Sequence, residues 1–314
     1  SLIYLGKFYF FFVLLAIIIP LLGRYLANVF EGKTTWAHPL LGWLERLSYR
    51  VAGIDPSKEM GWVHYGKVLV LFNVWGVLAV FCLQLFQGLL PLNPENFGEV
   101  PPLLAFNTAI SFVTNTNWQA YAGESTLSYL TQMLGLSVQN FLSAATGICV
   151  LMVLIRGISR KESETVGSFW VDLVRSVVYL LLPLSFIFAL FLVAEGSIQT
   201  FDPYVDAVTL EGAKQHIPLG PVASQVAIKQ LGSNGGGFFA ANGAHPFENP
   251  TAFTNFISSL LILVIPASLV YCYGLMINAK YHGWFLLSIM FVLSMSGFFL
   301  SIYSELNTNP LIEG

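Results

Sequence analysis

Long apolar stretches separated by shorter polar ones dominate the chain, and six of them have the length of a membrane span. A bilayer core about 30 Å thick requires roughly 20 apolar residues in a helix. The predicted spans cover residues 2–22, 68–90, 127–155, 176–194, 253–273 and 284–303. The pattern therefore predicts an all-α membrane protein.

The few positive charges predict an orientation, because short cytoplasmic loops accumulate Lys and Arg. They cluster between the first and second spans and between the third and fourth, whereas residues 68–155 contain neither Lys nor Arg. Glu95, Glu99 and Glu124 occupy the loop within that stretch. Alternation through six spans then predicts that the N-terminus lies outside the cell.

Each long outward connection contains a short apolar segment that could enter the bilayer without crossing it. Pro101 and Pro102 precede residues 103–113, and Pro221 precedes residues 222–231. Proline is common in the first turn of a helix. At 1.5 Å per residue such helices are about 15–20 Å long, roughly half a membrane. We expect two re-entrant pore helices.

A polar, uncharged stretch follows each half-helix, and the two stretches align at an offset of 118 residues. Their members are Thr114, Asn115, Thr116, Asn117 and Gln119 in the first, and Ser233, Asn234, Gly235, Gly236 and Gly237 in the second. Residues 139–143 and 254–258 form a second related pair, at an offset of 115. These offsets predict an internal repeat.

The predicted unit is a transmembrane helix, a re-entrant pore helix, a filter loop and a second transmembrane helix. The first pore repeat covers residues 68–157 and the second covers residues 158–282. Residues 1–67 supply a first transmembrane helix and a cytoplasmic loop, and residues 283–314 supply a transmembrane helix that would open a third repeat.

Irregular backbone at membrane depth is tolerated only where protein buries it or where it lines a watery cavity. Backbone carbonyls can replace the water around a potassium ion, and glycines such as Gly235, Gly236 and Gly237 allow unusual φ values. Neither polar stretch contains Asp or Glu. Hard divalent ions usually require carboxylates, so a dehydrated monovalent cation is the expected ligand.

Composition and charge exclude other classes of protein. Fifty-five percent of the residues are hydrophobic and only 10% are charged, so the lipid bilayer is the expected solvent. A net charge of −3 excludes a surface that binds nucleic acid. An intramembrane enzyme would need ionisable residues at bilayer depth, and the spans offer amides and hydroxyls instead.

Two short motifs receive local structural interpretations. Asp172 and Arg175 lie close to one helical turn apart, which predicts an ion pair within one helix. His245 and Glu248 are flanked by Pro246 and Pro250, which predicts a rigid turn rather than acid–base catalysis.

The blocks SFVTNTNWQAYAGESTLSYLTQM (111–133) and GPVASQVAIKQLGSNGGGFFAANGAHPFENPTAFTNF (220–256) closely resemble the potassium-translocating A subunit of Kdp-type potassium pumps. The resemblance implies four potassium-channel-like repeats around one pore, with the potassium ion as the transported substrate. It also implies a P-type ATPase catalytic subunit that uses ATP, small accessory membrane subunits, and a bacterial or archaeal inner (plasma) membrane.

Carried over by residue, Thr114–Asn117 match the first filter strand and Ser233–Gly236 match the second. Gln119 resembles a position implicated in ion selectivity. The chain has no phosphorylation motif and no Walker A motif, so no catalytic residue or catalytic cofactor is expected on it. Two repeats of four suggest a fragment covering the first half of the subunit, and a homodimer is the alternative. A passive potassium channel or secondary transporter would use the same filter.

Overall fold

The computed structural model describes residues 2–306 and the side chains of residues 6–305. Six of the helices are long and apolar enough to cross a membrane, which confirms the predicted all-α membrane protein. They are Gly6–Phe30, Trp62–Leu85, Thr131–Ser159, Phe169–Ala194, Ala252–Met276 and Lys280–Glu305.

The helices follow the predicted order, with short irregular turns inside two of the spans. They are α1 Leu2–Phe30, α2 His38–Ala52, α3 Trp62–Leu85, α4 Pro102–Val113, α5 Gly123–Thr126, α6 Val138–Ser159, α7 Phe169–Arg175, α8 Leu182–Ala194, α9 Val222–Leu231, α10 Ala252–Met276 and α11 Lys280–Leu306. A 3₁₀ turn covers Gln87–Leu89, and π-helical turns cover Thr131–Ser137 and Ser176–Leu181. The π-helical turns join Thr131–Ser159 and Phe169–Ala194 into continuous spans.

A two-stranded hairpin, absent from the sequence prediction, lies in the second long connection. Strand β1 (Val205–Val208) pairs antiparallel with β2 (Lys214–Ile217), with Val205 opposite Ile217. His216 of β2 contacts Glu95 of the first long connection, with 2.9 Å between Nε2 and Oε2. The two long connections are therefore joined to each other.

The described chain forms two compact units, one containing residues 2–28 and 265–306 and the other containing residues 29–264. In the first unit, small residues allow close helix contacts. A Cβ added to Gly274 would lie 2.8 Å from the Cα of Gly283, and one added to Gly23 would lie 2.7 Å from the carbonyl oxygen of Ser268. Small residues favour such approaches because helices in lipid associate largely through van der Waals packing.

The second unit contains both half-helices. In α4, Ala105 and Ala109 are fully buried in a cluster that also contains Val80 of α3 and Leu136. Gln84, also fully buried, donates from Nε2 to the carbonyl oxygen of Ala105 at 3.0 Å. Small side chains and this hydrogen bond fix the half-helix against α3.

The predicted ion pair between Asp172 and Arg175 is wrong. Asp172 instead accepts two hydrogen bonds from the guanidinium of Arg156, at 2.6 and 2.8 Å, and a third from Tyr65 at 2.9 Å. Arg175 contacts Glu45 of α2, with 3.1 Å between Nε and Oε1. Asp172 and Arg175 therefore each bind a residue of another element rather than each other, because those residues offer better hydrogen-bond geometry than a neighbour on the same helix.

Arg156 and Asp172 also correct the expectation that the spans offer only amides and hydroxyls. Their side chains are 10% and 1% exposed, and they lie inside the long apolar helices Thr131–Ser159 and Phe169–Ala194 of the structure, just beyond the spans that the sequence predicted. A buried charge is tolerated when it is paired and hydrogen-bonded. The bidentate geometry meets that condition, and nothing about this pair requires catalysis.

Candidate functional site

The first polar loop reverses the chain at the end of α4. The N–H of Thr114 donates to Ile110 at 3.0 Å, and the N–H groups of Thr116 and Asn117 both donate to the carbonyl of Ser111, at 2.9 and 3.0 Å. Asn115 and Asn117 have left-handed φ values of 63° and 54°. Asn adopts this conformation more readily than most residues, so the sequence suits the tight turn.

The second loop repeats these backbone contacts at the predicted offset. The N–H of Gly232 donates to Ile228 at 2.8 Å, and the N–H of Asn234 donates to Lys229 at 3.0 Å. Ser233 and Gly235 have φ values of 50° and 115°. All of these residues lie 118 positions after their counterparts in the first loop, so the sequence similarity extends to matching hydrogen bonds and matching left-handed residues.

Gln119 joins the two loops through the backbone of Gly237. Its Nε2 donates to the carbonyl oxygen of Gly237 at 2.9 Å, and its Oε1 accepts from the N–H of the same residue at 2.9 Å. Nδ2 of Asn234 contacts Oδ1 of Asn115, and that oxygen also accepts from the hydroxyl of Ser143 at 2.8 Å. Side-chain amides therefore hold two loops together that are more than 100 residues apart.

Gly236 has no room for a side chain between the loops. Its φ of 66° lies in the left-handed region, and an added Cβ would lie 2.9 Å from both the carbonyl oxygen of Asn117 and Oε1 of Gln119. Glycine is therefore required here for both backbone conformation and close approach.

The backbone carbonyls of the two loops fall into two groups. Within residues 2–306, the carbonyl oxygens of residues 114–117 and 232–235 accept no hydrogen bond. The carbonyls that follow each accept one from a side chain: Trp118 from Ser111, Gly236 from Lys229, Gly237 from Gln119 and Phe238 from Gln132. Each polar loop thus presents four consecutive oxygen atoms that no donor in the described chain occupies, in continuation of the equally free carbonyls of Val113 and Leu231 at the helix ends.

A buried ion pair binds the backbone at the end of the second loop. Nζ of Lys229 lies 2.9 Å from Oε1 of Glu248, and the two side chains are 2% and 0% exposed. Lys229 also donates to the carbonyl of Gly236 at 2.9 Å. Glu248 accepts from the N–H of Phe238 at 2.9 Å and from that of Gly243 at 3.0 Å.

Residues of the two long connections contact each other and the segment that follows the second loop. Oε2 of Glu124 accepts from the N–H of Ala240 at 3.0 Å, and the hydroxyl of Tyr204 donates to the carbonyl of Glu124 at 2.7 Å. Tyr129 donates to the carbonyl of Asp202 at 2.8 Å. Burial raises the pKa of Tyr129 to about 12, so its hydroxyl stays protonated and remains a donor.

The described residues contain no group of three or more His, Cys, Asp or Glu side chains placed to hold a metal ion. The two loops present the oxygen atoms of backbone carbonyls and side-chain amides. Such neutral oxygen atoms suit a weakly held monovalent cation better than a divalent one.

Comparison with known proteins assigns the chain to a family. Residues 9–314 match the family described as KdpA, Potassium-transporting ATPase A subunit. The chain belongs to the KdpA family. That membership agrees with the resemblance inferred from the two loop-containing blocks.

Several curated proteins named "Potassium-transporting ATPase potassium-binding subunit" are similar to this KdpA-family chain. One from Rhodospirillum centenum is 55% identical over 99% of the chain and 53% of its own length. Relatives from Pseudomonas syringae pv. tomato and Sorangium cellulosum are 50% and 52% identical over 96% of the chain, and over 54% and 53% of their own lengths. The chain spans about half the length of the curated relatives it matches.

All ten predicted site residues of this KdpA-family chain lie in the two adjoining loops. The carbonyls of Gly236 and Gly237 differ from the others, because Lys229 and Gln119 occupy them. Sequence reasoning missed Lys229 and Glu248 as partners. The turn predicted at His245 is present, since the N–H of Glu248 donates to the carbonyl of His245 at 2.9 Å.

One signal could have found Lys229. The offset of 118 aligns it with Ser111, so a charged residue replaces a hydroxyl at matching positions of two apolar half-helices. A lone lysine in such a helix requires a buried partner. Glu248 is the nearest carboxylate downstream in the sequence, within the motif assigned only to a turn.

Proposed function

We propose that this chain supplies part of the pore of an ATP-driven potassium uptake pump. In this proposal residues 68–157 and 158–282 are two pore repeats, and their polar loops are two strands of a potassium filter. Carbonyl oxygens of residues 114–117 and 232–235 replace water around the ion. Gln119, Gly236 and Gly237 hold the loops in register.

The eight carbonyl oxygens without donors carry this proposal. Thr114, Thr116 and Gly235 are exposed in the described chain, and irregular backbone at membrane depth must be buried in protein or line a watery cavity, where water or an ion can reach its carbonyls. Here the unpaired set is continuous within each loop and ends where side-chain donors begin. A desolvated potassium ion needs such a set of neutral oxygen atoms.

Half-helix geometry gives further support. Each polar loop follows the C-terminal end of a short helix, α4 or α9. That end carries a partial negative charge, roughly half an elementary charge for a well-formed helix. A cation beside the loops is stabilised without any fixed carboxylate.

Energy for uptake comes from a partner in this proposal. The relatives are named as subunits of a potassium-transporting ATPase. We propose that a P-type ATPase catalytic subunit hydrolyses ATP and that small accessory membrane subunits complete the complex. The chain then resides in a bacterial or archaeal inner membrane with its N-terminus outside.

Uptake by reconstituted vesicles tests this function. The whole gene product is purified with its native partners and placed in potassium-free vesicles, and ⁸⁶Rb⁺ uptake is followed with and without ATP. We expect uptake that requires ATP and is inhibited by external K⁺ but not by Na⁺. Uptake of the same rate without ATP would favour a passive channel, and no competition by K⁺ would refute the potassium assignment.

A further inference from the structure

Lys229 is unusual because it places a positive charge next to a proposed cation path. Its side chain is 2% exposed, and its Nζ touches the carbonyl of Gly236, the first residue after the four carbonyls left free in the second loop. An uncompensated positive charge there would repel potassium. Glu248 lies 2.9 Å away and cancels that charge.

In the first loop, an uncharged side chain occupies the carbonyl at the matching position. The hydroxyl of Ser111 donates to the carbonyl of Trp118 at 2.9 Å. Ser111 and Trp118 align with Lys229 and Gly236 at the offset of 118. In both loops, then, one side chain near the end of the half-helix occupies the fifth carbonyl after that helix; in the first loop the carbonyl of Gln119 beyond it is again without a donor in the described chain.

The surroundings of Lys229 and Glu248 hold the two charged groups in place. A Cβ added to Gly237 would lie 2.8 Å from Oε1 of Glu248 and 3.2 Å from Nζ of Lys229, and one added to Gly243 would lie 3.3 Å from the same Nζ. Backbone therefore packs directly against the pair. Glu248 also ties the N–H groups of Phe238 and Gly243, so it fixes the loop on both sides of the ammonium.

We propose that Lys229 and Glu248 are positioning residues that keep the outer end of the second loop electrically neutral and thereby set its affinity for potassium over divalent cations. This inference rests on the proposed filter function. In this proposal the ammonium of Lys229 repels a passing cation and the carboxylate of Glu248 attracts it, and both groups also hold the loop in shape.

Three variants of the full protein in its complex test the proposal. Glu248→Gln leaves the ammonium uncompensated, Lys229→Ser leaves the carboxylate uncompensated, and the double variant removes both charges. Serine is the residue that already occupies the matching position of the first loop. A unit charge about 10 Å from the ion, at an effective dielectric constant of about 20, changes binding by roughly tenfold.

We expect Glu248→Gln to raise the half-saturating K⁺ concentration by about tenfold. Lys229→Ser should lower that concentration, or make uptake sensitive to block by Mg²⁺, because the exposed carboxylate attracts divalent ions. The double variant should return to the wild-type range. If Glu248→Gln does not accumulate in the membrane, Lys229→Ser and the double variant still differ by one charge, and only the former should be blocked by Mg²⁺.

Changes in the same direction in both single variants, without recovery in the double variant, would show a purely structural pair and overturn the proposal. Unchanged K⁺ half-saturation and Mg²⁺ sensitivity in all three variants would overturn it as well. Wild-type protein is measured in parallel. If the wild-type protein itself does not select K⁺, the proposed filter function is refuted. This outcome is distinguishable from failure of the Lys229 and Glu248 proposal, which the variants report.

Discussion

Replacing Gln119 with Met should weaken potassium binding by loosening the contact between the two loops. The methionine side chain has similar length but neither donates to nor accepts from the backbone of Gly237. The two hydrogen bonds between the loops, each with 2.9 Å between donor and acceptor, are lost, as is the one from Gln119 to the hydroxyl of Tyr121 within the first connection. At about 0.5–1.5 kcal/mol each, the two bonds between the loops contribute about 1–3 kcal/mol.

That cost is an upper limit for the change in potassium affinity. If potassium binds only the joined loops, the apparent dissociation constant rises by the inverse of the joined fraction. A cost of about 1–3 kcal/mol then corresponds to roughly a 5- to 150-fold rise in the half-saturating K⁺ concentration. Discrimination between K⁺ and Rb⁺ should fall at the same time, because the carbonyl positions become less fixed.

Initial rates of ⁸⁶Rb⁺ uptake at increasing K⁺ concentrations measure both quantities in the reconstituted complex. Gln215→Met is a matched control, because Gln215 is exposed on strand β2 and its amide makes no hydrogen bond within the described residues. The control should transport like the wild type. Wild-type K⁺ half-saturation and K⁺/Rb⁺ discrimination in Gln119→Met would refute the bridging role.

Three further predictions concern the loops, the hairpin and a buried charge. Gly236→Ala should raise the half-saturating K⁺ concentration in the same assay, because the left-handed φ alone costs about 1–2 kcal/mol, whereas Gly147→Ala, with open space around it, should not; equal values would contradict the close approach. The hydrogen bond to Glu95 raises the pKa of His216, so its anchoring of the hairpin is complete below its ordinary value of about 6.5 and is lost as pH rises through the raised value. Limited proteolysis of the hairpin should accelerate over that range, and a rate independent of pH would exclude this role. Asp172→Asn should destabilise the fold by about 3–5 kcal/mol, measured by thermal unfolding in detergent, and an unchanged midpoint would contradict the buried pair.

The sequence predicted the number of spans well because apolar length is a direct requirement of the bilayer. It placed the starts of the second, fourth and sixth spans four to seven residues too late. The fourth span begins at Phe169 rather than at residue 176, because Asp172 and Arg175 lowered the apparent hydrophobicity. Their partners, Arg156 and Glu45, lie in other elements and are invisible to a local window.

In the candidate site, too, local sequence features could be predicted and long-range contacts could not. Its ten residues were predicted because the polar stretches interrupt apolar sequence at a fixed offset. Lys229 and Glu248 escaped notice because their contact joins a half-helix to a turn 19 positions later, outside the aligned stretches. The distinction between free and occupied carbonyls also required coordinates, since every residue has a backbone carbonyl and its identity does not show whether that carbonyl accepts a hydrogen bond.

Locating the bound cation tests the central claim most directly. Anomalous diffraction from crystals of the complete protein grown with Rb⁺ in place of K⁺ would report the ion position without reference to activity. We predict a peak in direct coordination contact with carbonyl oxygens of residues 114–117 and 232–235. A cation bound away from both loops, with these carbonyls hydrogen-bonded to other groups, would contradict the account.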